Sequence, residues 1–172
     1  MFVILRIFPD LFFRQDMKEL KIGDIAPQFE APNQDGEIFS LASLRGGRVI
    51  LYFYPKDNTP GCTLEAKSLQ EGLAELSAAG FTVIGVSPDS ERSHCNFRAK
   101  HSLEFTLIAD TDKAVAEAYG VYGEKKMMGR VVMGIRRTTF IIDPDGNIEK
   151  IFTKVNTKEH HKQILSWFAE KE

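Results

Sequence analysis

An unbroken apolar run at residues 49–54 places the strongest constraint on how this 172-residue chain can fold. Six consecutive apolar or aromatic residues are typical of a strand that is covered on both faces in the middle of a sheet. Residues 81–86 form a second run of this kind, and a helical pattern follows each run. Two successive strand-helix units predict parallel neighbouring strands, because the helix crosses over from one strand to the next.

The helical pattern after the first run has one buried face that begins at a cysteine. Residues spaced by four, three, four and three positions share that face: Cys62, Ala66, Leu69, Leu73 and Leu76. Gly80 ends the pattern, as glycine does at many helix C-termini. The sequence therefore predicts one continuous helix between the two strands.

The other patterns predict an α/β fold with a central mixed β-sheet, helices on both faces and an N-terminal β-hairpin. Runs 28–31 and 38–41 form the hairpin, and Ser90 is placed to cap a helix that ends near residue 101. A third strand is expected at 105–108, a short helix at 111–119 and a long connection at 120–134. Runs 137–142 and 148–153 form an antiparallel hairpin around the turn 143–146, before a last helix from about residue 157.

Composition and charge narrow the possible partners. The chain is 43% hydrophobic and carries 22 Lys and Arg against 24 Asp and Glu, without a block of like charge. These values favour one globular domain and give no reason to expect a nucleic acid or an anionic membrane as partner. No stretch reaches the roughly 18 apolar residues of a membrane span, and two cysteines do not make a disulfide framework. The expected compartment is the cytoplasm.

Residues 1–16 form an N-terminal extension that has two interpretations. They are rich in Phe, Ile and Leu, but charged residues and a proline interrupt them and no small-residue cleavage site follows, so a secretory signal is not expected. From Met17 onward the sequence is more typical of a soluble protein. The extension is either an upstream addition or a segment that packs on the core, and the domain is predicted to span residues 17–172.

Cys62 is the candidate nucleophile of the chain. It lies where the buried run passes into the helix, and the N–H groups and positive dipole end of a helix start favour thiolate over thiol. Thr59 adds a hydroxyl nearby, and Pro60 suits a first helical position. Two simpler interpretations stay open: a cysteine on an apolar helix face can be an inert small hydrophobe, and Thr59 can be a helix cap.

Two motifs resemble those of one enzyme family. The segment 55–63, Pro-Lys-Asp-Asn-Thr-Pro-Gly-Cys-Thr, followed by Glu65-Ala66, and the segment 137–146, Arg-Thr-Thr-Phe-Ile-Ile-Asp-Pro-Asp-Gly, resemble the peroxiredoxins of the bacterioferritin comigratory protein type, also called Q-type. The resemblance covers roughly residues 20–167. It implies a thioredoxin-like fold, reduction of hydroperoxides at one cysteine, thioredoxin or a glutaredoxin-like protein as reductant, and a monomer or weak homodimer.

The resemblance also assigns roles to individual residues. It makes Cys62 the peroxidatic thiolate, Thr59 the hydroxyl that orients the peroxide, and Pro55 the wall that shields the sulfur. The backbone N–H groups of Gly61 and Cys62 would bind substrate. On sequence alone, Pro55 is better explained as the end of a strand.

Arg137 is assigned as the cation that stabilises the thiolate and polarises the substrate. The family pattern places it two residues before the Thr-Phe step, and Arg136 would point to the opposite face of the strand. Without the resemblance, Arg137 would be interpreted as an ordinary exposed strand arginine.

The second sulfur departs from the family pattern. A sulfenic acid must condense with a thiol to be recycled, and Lys67 occupies one position where members carry that thiol. Arg98 occupies another such position, and Cys95 lies one helical turn before it. Cys95 is therefore the candidate resolving cysteine, with an external thiol as the alternative. Because disulfide Cα atoms lie within about 7 Å, the first turn of the Cys62 helix is expected to unwind.

Other chemistries receive less support from the sequence. His94 and Cys95 point in different directions on a helix, and His101 has no third ligand close by, so no metal site is expected. His160 and His161 are expected to face solvent or to pack, and no histidine is expected beside Cys62. No phosphate loop implies a nucleotide, so no cofactor is expected.

Two functions other than a peroxidase are compatible with parts of this sequence. A thioredoxin-like disulfide oxidoreductase would need a second cysteine where Glu65 stands. A redox-sensing or holdase-like interaction module, oxidised without turnover, stays open.

Overall fold

A computed structural model describes residues 19–171, and the interpretations of residues 1–16 and of Met17 lie outside that range. The strands are β1 Glu30–Pro32, β2 Ile38–Ser40, β3 Arg48–Phe53, β4 Phe81–Ser87, β5 Thr106–Ala109, β6 Tyr122–Met127, β7 Arg130–Ile135, β8 Thr138–Ile142 and β9 Ile148–Phe152. The helices are α1 Pro60–Glu71, α2 Leu73–Ala78, α3 Glu91–His101, α4 Ala114–Ala118 and α5 His160–Lys171, and a 3-10 turn covers Leu41–Leu44.

The predicted apolar run forms β3, the central strand of a five-stranded sheet ordered β5-β4-β3-β8-β9. β3 pairs parallel with β4, and β4 pairs parallel with β5, which confirms the prediction from the strand-helix units. β8 and β9 continue the sheet antiparallel on the other side of β3. The sheet is mixed, as predicted, and the short β1–β2 hairpin precedes it.

Alternate residues of β3 supply two separate cores. Ile50 and Tyr52 pack with the buried residues of α1, α2, α3 and α5 on one face. Leu51 and Phe53 pack with α4 on the other face. Because β3 is covered on both sides, its run shows no polar alternation. The loop that leaves β3 therefore starts from a fixed position, with α1 seated on the first of these faces.

Two parts of the chain differ from the sequence prediction. The stretch predicted as a connection at 120–134 forms the hairpin β6–β7, a separate two-stranded sheet that turns at Met128 and Gly129, both with positive φ. The helix predicted through residues 62–80 is broken at Gly72 into α1 and α2. The His161 ring lies so close to Gly72 that a Cβ there would come within 2.5 Å of it.

The helix predicted after Ser90 is confirmed as α3, and the Ser90 hydroxyl accepts a hydrogen bond of 3.1 Å from the Ser93 N–H. Among residues 19–171, no helix has the length and apolar character that would be needed to cross a membrane.

Candidate active site

Cys62 lies in the first turn of α1, directly behind the loop that leaves β3. Pro60 is the first helical residue, and the Thr63 N–H closes the first turn on the Thr59 carbonyl at 2.9 Å. The Cys62 side chain is only 1% exposed and packs in the same core as Ile50. The sulfur is therefore buried at a helix start, where the backbone N–H groups favour negative charge.

Arg137 connects the thiol to a buried carboxylate. It lies in the two-residue link between β7 and β8, and its Nη2 donates a hydrogen bond of 3.3 Å to the Cys62 Sγ. Its Nη1 donates to Glu65 Oε2. Arg136 points elsewhere and donates to the Gly120 carbonyl at 2.5 Å. Of these two neighbouring arginines, only Arg137 reaches the sulfur.

Gly61 lets the Arg137 guanidinium approach the helix start. A Cβ at this position would lie 3.1 Å from Nη2 of Arg137, which is tighter than an ordinary van der Waals contact. The glycine therefore contributes to the geometry around the sulfur through its missing side chain.

A cavity of about 550 Å³ opens onto the sulfur. Pro55, Thr59, Gly61, Cys62 and Arg137 all line it, so the structure brings together every residue that the family resemblance singled out, apart from Cys95. The hairpin β6–β7 supplies much of the opposite wall through apolar side chains: Met127, Val132, Met133 and Ile135. The sequence analysis missed this wall because it interpreted the hairpin as a connection.

The Thr59 side chain does not cap α1, although Thr59 occupies the cap position. Its hydroxyl donates to the Lys56 carbonyl at 2.9 Å. The cap interpretation of the side chain is therefore wrong. Thr59 lines the cavity, and with its hydrogen used in this way its hydroxyl oxygen is left as a hydrogen-bond acceptor.

Glu65 is a site residue that the sequence analysis missed. It is fully buried one helical turn after Cys62 and binds Arg137, but its Oε1 has no hydrogen-bond partner. Burial raises the pKa of Glu65 to about 7, and Arg137 opposes that rise. The available signal was a carboxylate three residues after Cys62, inside an otherwise apolar helical stripe.

Comparison with known proteins identifies the family. The AhpC/TSA family model matches residues 22–151. Peroxiredoxin Bcp of Escherichia coli (strain K12) is 47% identical over 154 residues, which covers 90% of this chain and 99% of that protein. The chain belongs to the AhpC/TSA family. Within it, the relatives are Bcp peroxiredoxins, and a putative one from Haemophilus influenzae is 44% identical over 88% of this chain and 97% of that protein.

Solved structures of peroxiredoxins share the fold. A Xylella fastidiosa PrxQ mutant superimposes with a TM-score of 0.83 at 33% identity, over 90% of this chain and 99% of that chain. The Xanthomonas campestris bacterioferritin comigratory protein, studied for its alkyl peroxide reduction activity, gives a TM-score of 0.77 at 36% identity, over 83% and 91%. The predicted thioredoxin-like peroxiredoxin fold is thereby confirmed.

In this peroxiredoxin, His160 lies behind the Arg137–Glu65 pair. Its Nδ1 donates to Gln163 Oε1 at 2.9 Å, so the neutral ring accepts at Nε2 from the Thr139 hydroxyl at 2.8 Å. Burial lowers the pKa of His160 to about 4. The same Nε2 is 3.9 Å from Glu65 Oε1 and offers it no hydrogen.

The sequence expectations for the two adjacent histidines are corrected in part. His160 and His161 are both buried, so the solvent-facing interpretation is wrong and the packing interpretation is right. His160 also lies closer to the site than expected, through Glu65. Both of its ring nitrogens are used by Thr139 and Gln163, which leaves neither to activate Cys62 as in a cysteine-histidine hydrolase.

Cys95 lies on α3 with its side chain exposed, and its thiol is free, like that of Cys62. It does not line the cavity. The buried Cys62 and the exposed Cys95 are therefore in different environments in this arrangement.

A second polar cluster joins the loop before α1 to the loop after β4 and to α3. Asp57, Asp89 and His94 place one ligand atom each within 4.8 Å of one another, a grouping that the sequence analysis did not anticipate. Hydrogen bonds already occupy these atoms: His94 Nδ1 lies 2.7 Å from Asp57 Oδ2, and Asp89 Oδ2 accepts from the Asp57 N–H at 2.8 Å.

Proposed function

We propose that Cys62 is the peroxidatic cysteine of this thiol-dependent peroxidase, and that it reduces hydrogen peroxide and organic hydroperoxides. The observation that carries the proposal is the Arg137 Nη2 contact of 3.3 Å to Sγ at the cavity that Thr59 and Pro55 also line. A guanidinium at this distance stabilises the thiolate that attacks.

The first step is a displacement at the O–O bond. The Cys62 thiolate attacks the terminal oxygen of ROOH, the S–O bond forms, and the O–O bond breaks. The sulfur becomes a sulfenic acid, and the alkoxide RO⁻ leaves and takes a proton to give ROH. Arg137 stabilises the negative charge as it moves from sulfur to the leaving oxygen, as preorganised donors do in other active sites.

Thr59 and Pro55 position the substrate for this step. Because the Thr59 hydroxyl donates to Lys56, its oxygen is free to accept from the hydroperoxide O–H. Pro55 is half-buried beside the sulfur and limits the access of water. The N–H groups of Gly61 and Cys62 at the helix start add donors for a peroxide oxygen.

The sulfenic acid is then recycled by a thiol. A disulfide forms as the sulfenic oxygen leaves as water, and a dithiol reductant, thioredoxin or a glutaredoxin-like protein, reduces that disulfide. We assign Cys95 as the resolving thiol, with an external thiol as the alternative. The enzyme is assigned to the cytoplasm as a monomer or weak homodimer.

The test is peroxide consumption with thioredoxin, thioredoxin reductase and NADPH, for wild type, Cys62→Ser and Cys95→Ser. Wild type should consume many equivalents of hydrogen peroxide, and Cys62→Ser should consume none while keeping its fold. Consumption of a single equivalent by wild type would indicate a redox sensor instead. Turnover retained in Cys62→Ser would exclude Cys62 as the nucleophile.

Peptide mass mapping under non-reducing conditions decides the resolving thiol. After one equivalent of peroxide, a Cys62–Cys95 linkage is expected. A sulfenic acid that persists on Cys62 until glutathione is added would assign resolution to an external thiol.

A further inference from the structure

A buried pair of charges fastens the loop before α1 to α3. Asp57 is 4% exposed and His94 is fully buried. The Asp57 carboxylate accepts hydrogen bonds from the Tyr54 hydroxyl at 2.6 Å, the Ser93 hydroxyl at 2.9 Å and His94 Nδ1 at 2.7 Å. None of these bonds involves the Cys62 sulfur, so the network is distinct from the contacts that serve the thiolate.

His94 is held on both sides of its ring. Its Nε2 lies 2.9 Å from the carbonyl oxygen of Ile108 in β5, which can only accept. Its Nδ1 faces Asp57, and that carboxylate accepts from two further hydroxyls, as an ionised carboxylate does. Both ring nitrogens therefore donate, and His94 pairs with Asp57 as a buried imidazolium.

The same loop residue is also held through its backbone. The Asp57 N–H donates to Asp89 Oδ2, and Asp89 also accepts from the Ser87 hydroxyl at 2.6 Å. Directly afterwards, Asn58 turns the chain with a φ of 62°. Asp57 is thus held by residues outside the loop, directly before the segment that carries Thr59 and Cys62.

Recycling requires this segment to move. The Cys62 sulfur is buried, and any thiol that forms a disulfide with it must reach it directly. Cys95 is exposed and immediately follows His94 in α3. The side chain that anchors the loop is therefore adjacent in sequence to the candidate resolving thiol.

We propose that the Asp57–His94 pair is a latch that holds the peroxide-reactive arrangement of the loop and limits the rate at which the Cys62 sulfenic acid is resolved. The proposal rests on the proposed peroxidase function. With the latch closed, the sulfenic acid is protected from thiols, and a second ROOH converts it to a sulfinic acid with release of ROH. With the latch open, a thiol condenses with it and water leaves. Asp57 and His94 act as positioning residues.

The test compares variants that remove one or the other of the two hydrogen bonds of the His94 ring. The amide nitrogen of Asn can stand where Nδ1 stands, and that of Gln where Nε2 stands. His94→Gln thus loses the bond to Asp57 and His94→Asn keeps it. Ser90→Ala is the matched control, because it removes the α3 cap and weakens the start of that helix but leaves the hydrogen bond between Asp57 and His94 in place.

Two rates are measured by rapid mixing, dimedone trapping and mass spectrometry. These are sulfenic acid formation with limiting hydrogen peroxide and the subsequent loss of that sulfenic acid. Both are followed in the wild-type background and in Cys95→Ser with glutathione as the thiol. In His94→Gln the sulfenic acid should be resolved about tenfold faster, because loss of the bond to Asp57 shifts the loop toward its open state. A tenfold shift in this equilibrium corresponds to about 1.4 kcal/mol. Formation should change by less than about twofold while the closed state still dominates.

The controls distinguish loss of the latch from a general loss of stability. His94→Asn should stay within about threefold of wild type in both rates, and excess peroxide should give less sulfinic acid in His94→Gln than in wild type. Equal resolution rates in His94→Gln and Ser90→Ala would overturn the proposal. Ser93→Ala, which deletes only one donor to Asp57, should shift resolution in the same direction by about threefold and serves if His94→Gln does not fold.

Hydrogen exchange distinguishes failure of the latch from failure of the peroxidase. If no sulfenic acid is trapped in wild type, both the peroxidase function and the role of the latch in resolving the Cys62 sulfenic acid are overturned. Independently, the Thr63 amide, which bonds to the Thr59 carbonyl, should exchange about tenfold faster in His94→Gln than in Ser90→Ala. Equal exchange rates would show that the pair does not hold the loop.

Discussion

The two buried carboxylates near the start of α1, Asp57 and Glu65, differ in how fully their oxygens are hydrogen-bonded. Asp57 accepts from three side-chain donors, whereas Glu65 accepts from Arg137 alone and leaves one buried oxygen without a partner. A fully satisfied buried network rigidifies its surroundings, and an incompletely satisfied one is costly. Asp57 therefore belongs to an anchor beside the loop, whereas Glu65 belongs to the reactive centre under the sulfur.

The largest effect is expected from removing the anchor. Asp57→Ala leaves the buried His94 cation and two hydroxyls without their acceptor, so the free energy of unfolding should fall by about 3–5 kcal/mol. Urea titration measures it, and the exposed Asp145→Ala is the control, with a change within about 0.5 kcal/mol. Equal stability of the two variants would mean that the Asp57 network anchors nothing.

The next effect concerns the reactive centre. Arg137→Met should lower kcat/KM for hydrogen peroxide by about 10²–10³, because it removes the donor aimed at the sulfur and the developing charge. Arg136→Met is the matched control one residue away, and its side chain binds the Gly120 carbonyl instead. Similar losses in both variants would contradict a special role for Arg137.

A third prediction concerns the pH dependence of stability. The pKa of Glu65 is raised from 4.5 to about 7 by burial, so the folded state holds a proton that the unfolded state has lost between these values. This contribution to stability is fully present below pH 4.5 and is lost as the pH rises through 7. The loss is on the order of 3 kcal/mol from the shift in pKa.

Urea titrations of wild type and Glu65→Gln at pH 4.5 and 8 isolate that contribution. Relative to the variant, wild type should be less stable at pH 8 than at pH 4.5. His160 gives the opposite sign, since its pKa is lowered to about 4 by burial and its contribution is lost as the pH falls from 6.5 through 4. A pH-independent difference between wild type and Glu65→Gln would refute the raised pKa.

The smallest effect is expected at Gly61. In Gly61→Ala the new methyl group displaces the Arg137 guanidinium by a few tenths of an ångström, and kcat/KM should fall about threefold to tenfold. Stability should not fall, because alanine favours a helical position by about 0.5–1 kcal/mol. Lys67→Ala, at an exposed position of α1, is the control for activity. An unchanged rate in Gly61→Ala would show that close approach of Arg137 is not needed.

The sequence predicted the central sheet well because its signals are local. The apolar runs that became β3 and β4, and the turn between β8 and β9, each carry their information within a few neighbouring residues. The hairpin β6–β7 was missed because its glycines, lysines and methionines do not alternate cleanly, and its pairing depends on the turn at Met128 and Gly129.

The site could be predicted only in part for a related reason. The motif around Cys62 is contiguous, and the family resemblance supplied Arg137 from a segment distant in sequence. The contacts of Glu65 with Arg137 and His160 join segments 72 and 95 residues apart, and no periodicity in the chain reports them. The same holds for Asp57 and His94, whose pairing arises from the packing of α3 against the loop.

The break at Gly72 limits how far a disturbance at Cys62 can travel. Helix formation is cooperative, so a continuous helix from residue 60 through residue 80 would transmit fraying at its start along twenty-one residues instead of the twelve of α1. The backbone at Gly72 leaves the helical conformation, so α1 and α2 are separate helical segments. Leu76 of α2 stays buried beside Phe81 at the start of β4. Unwinding of the first turn of α1, which the proposed recycling step requires, can therefore leave the start of β4 in place.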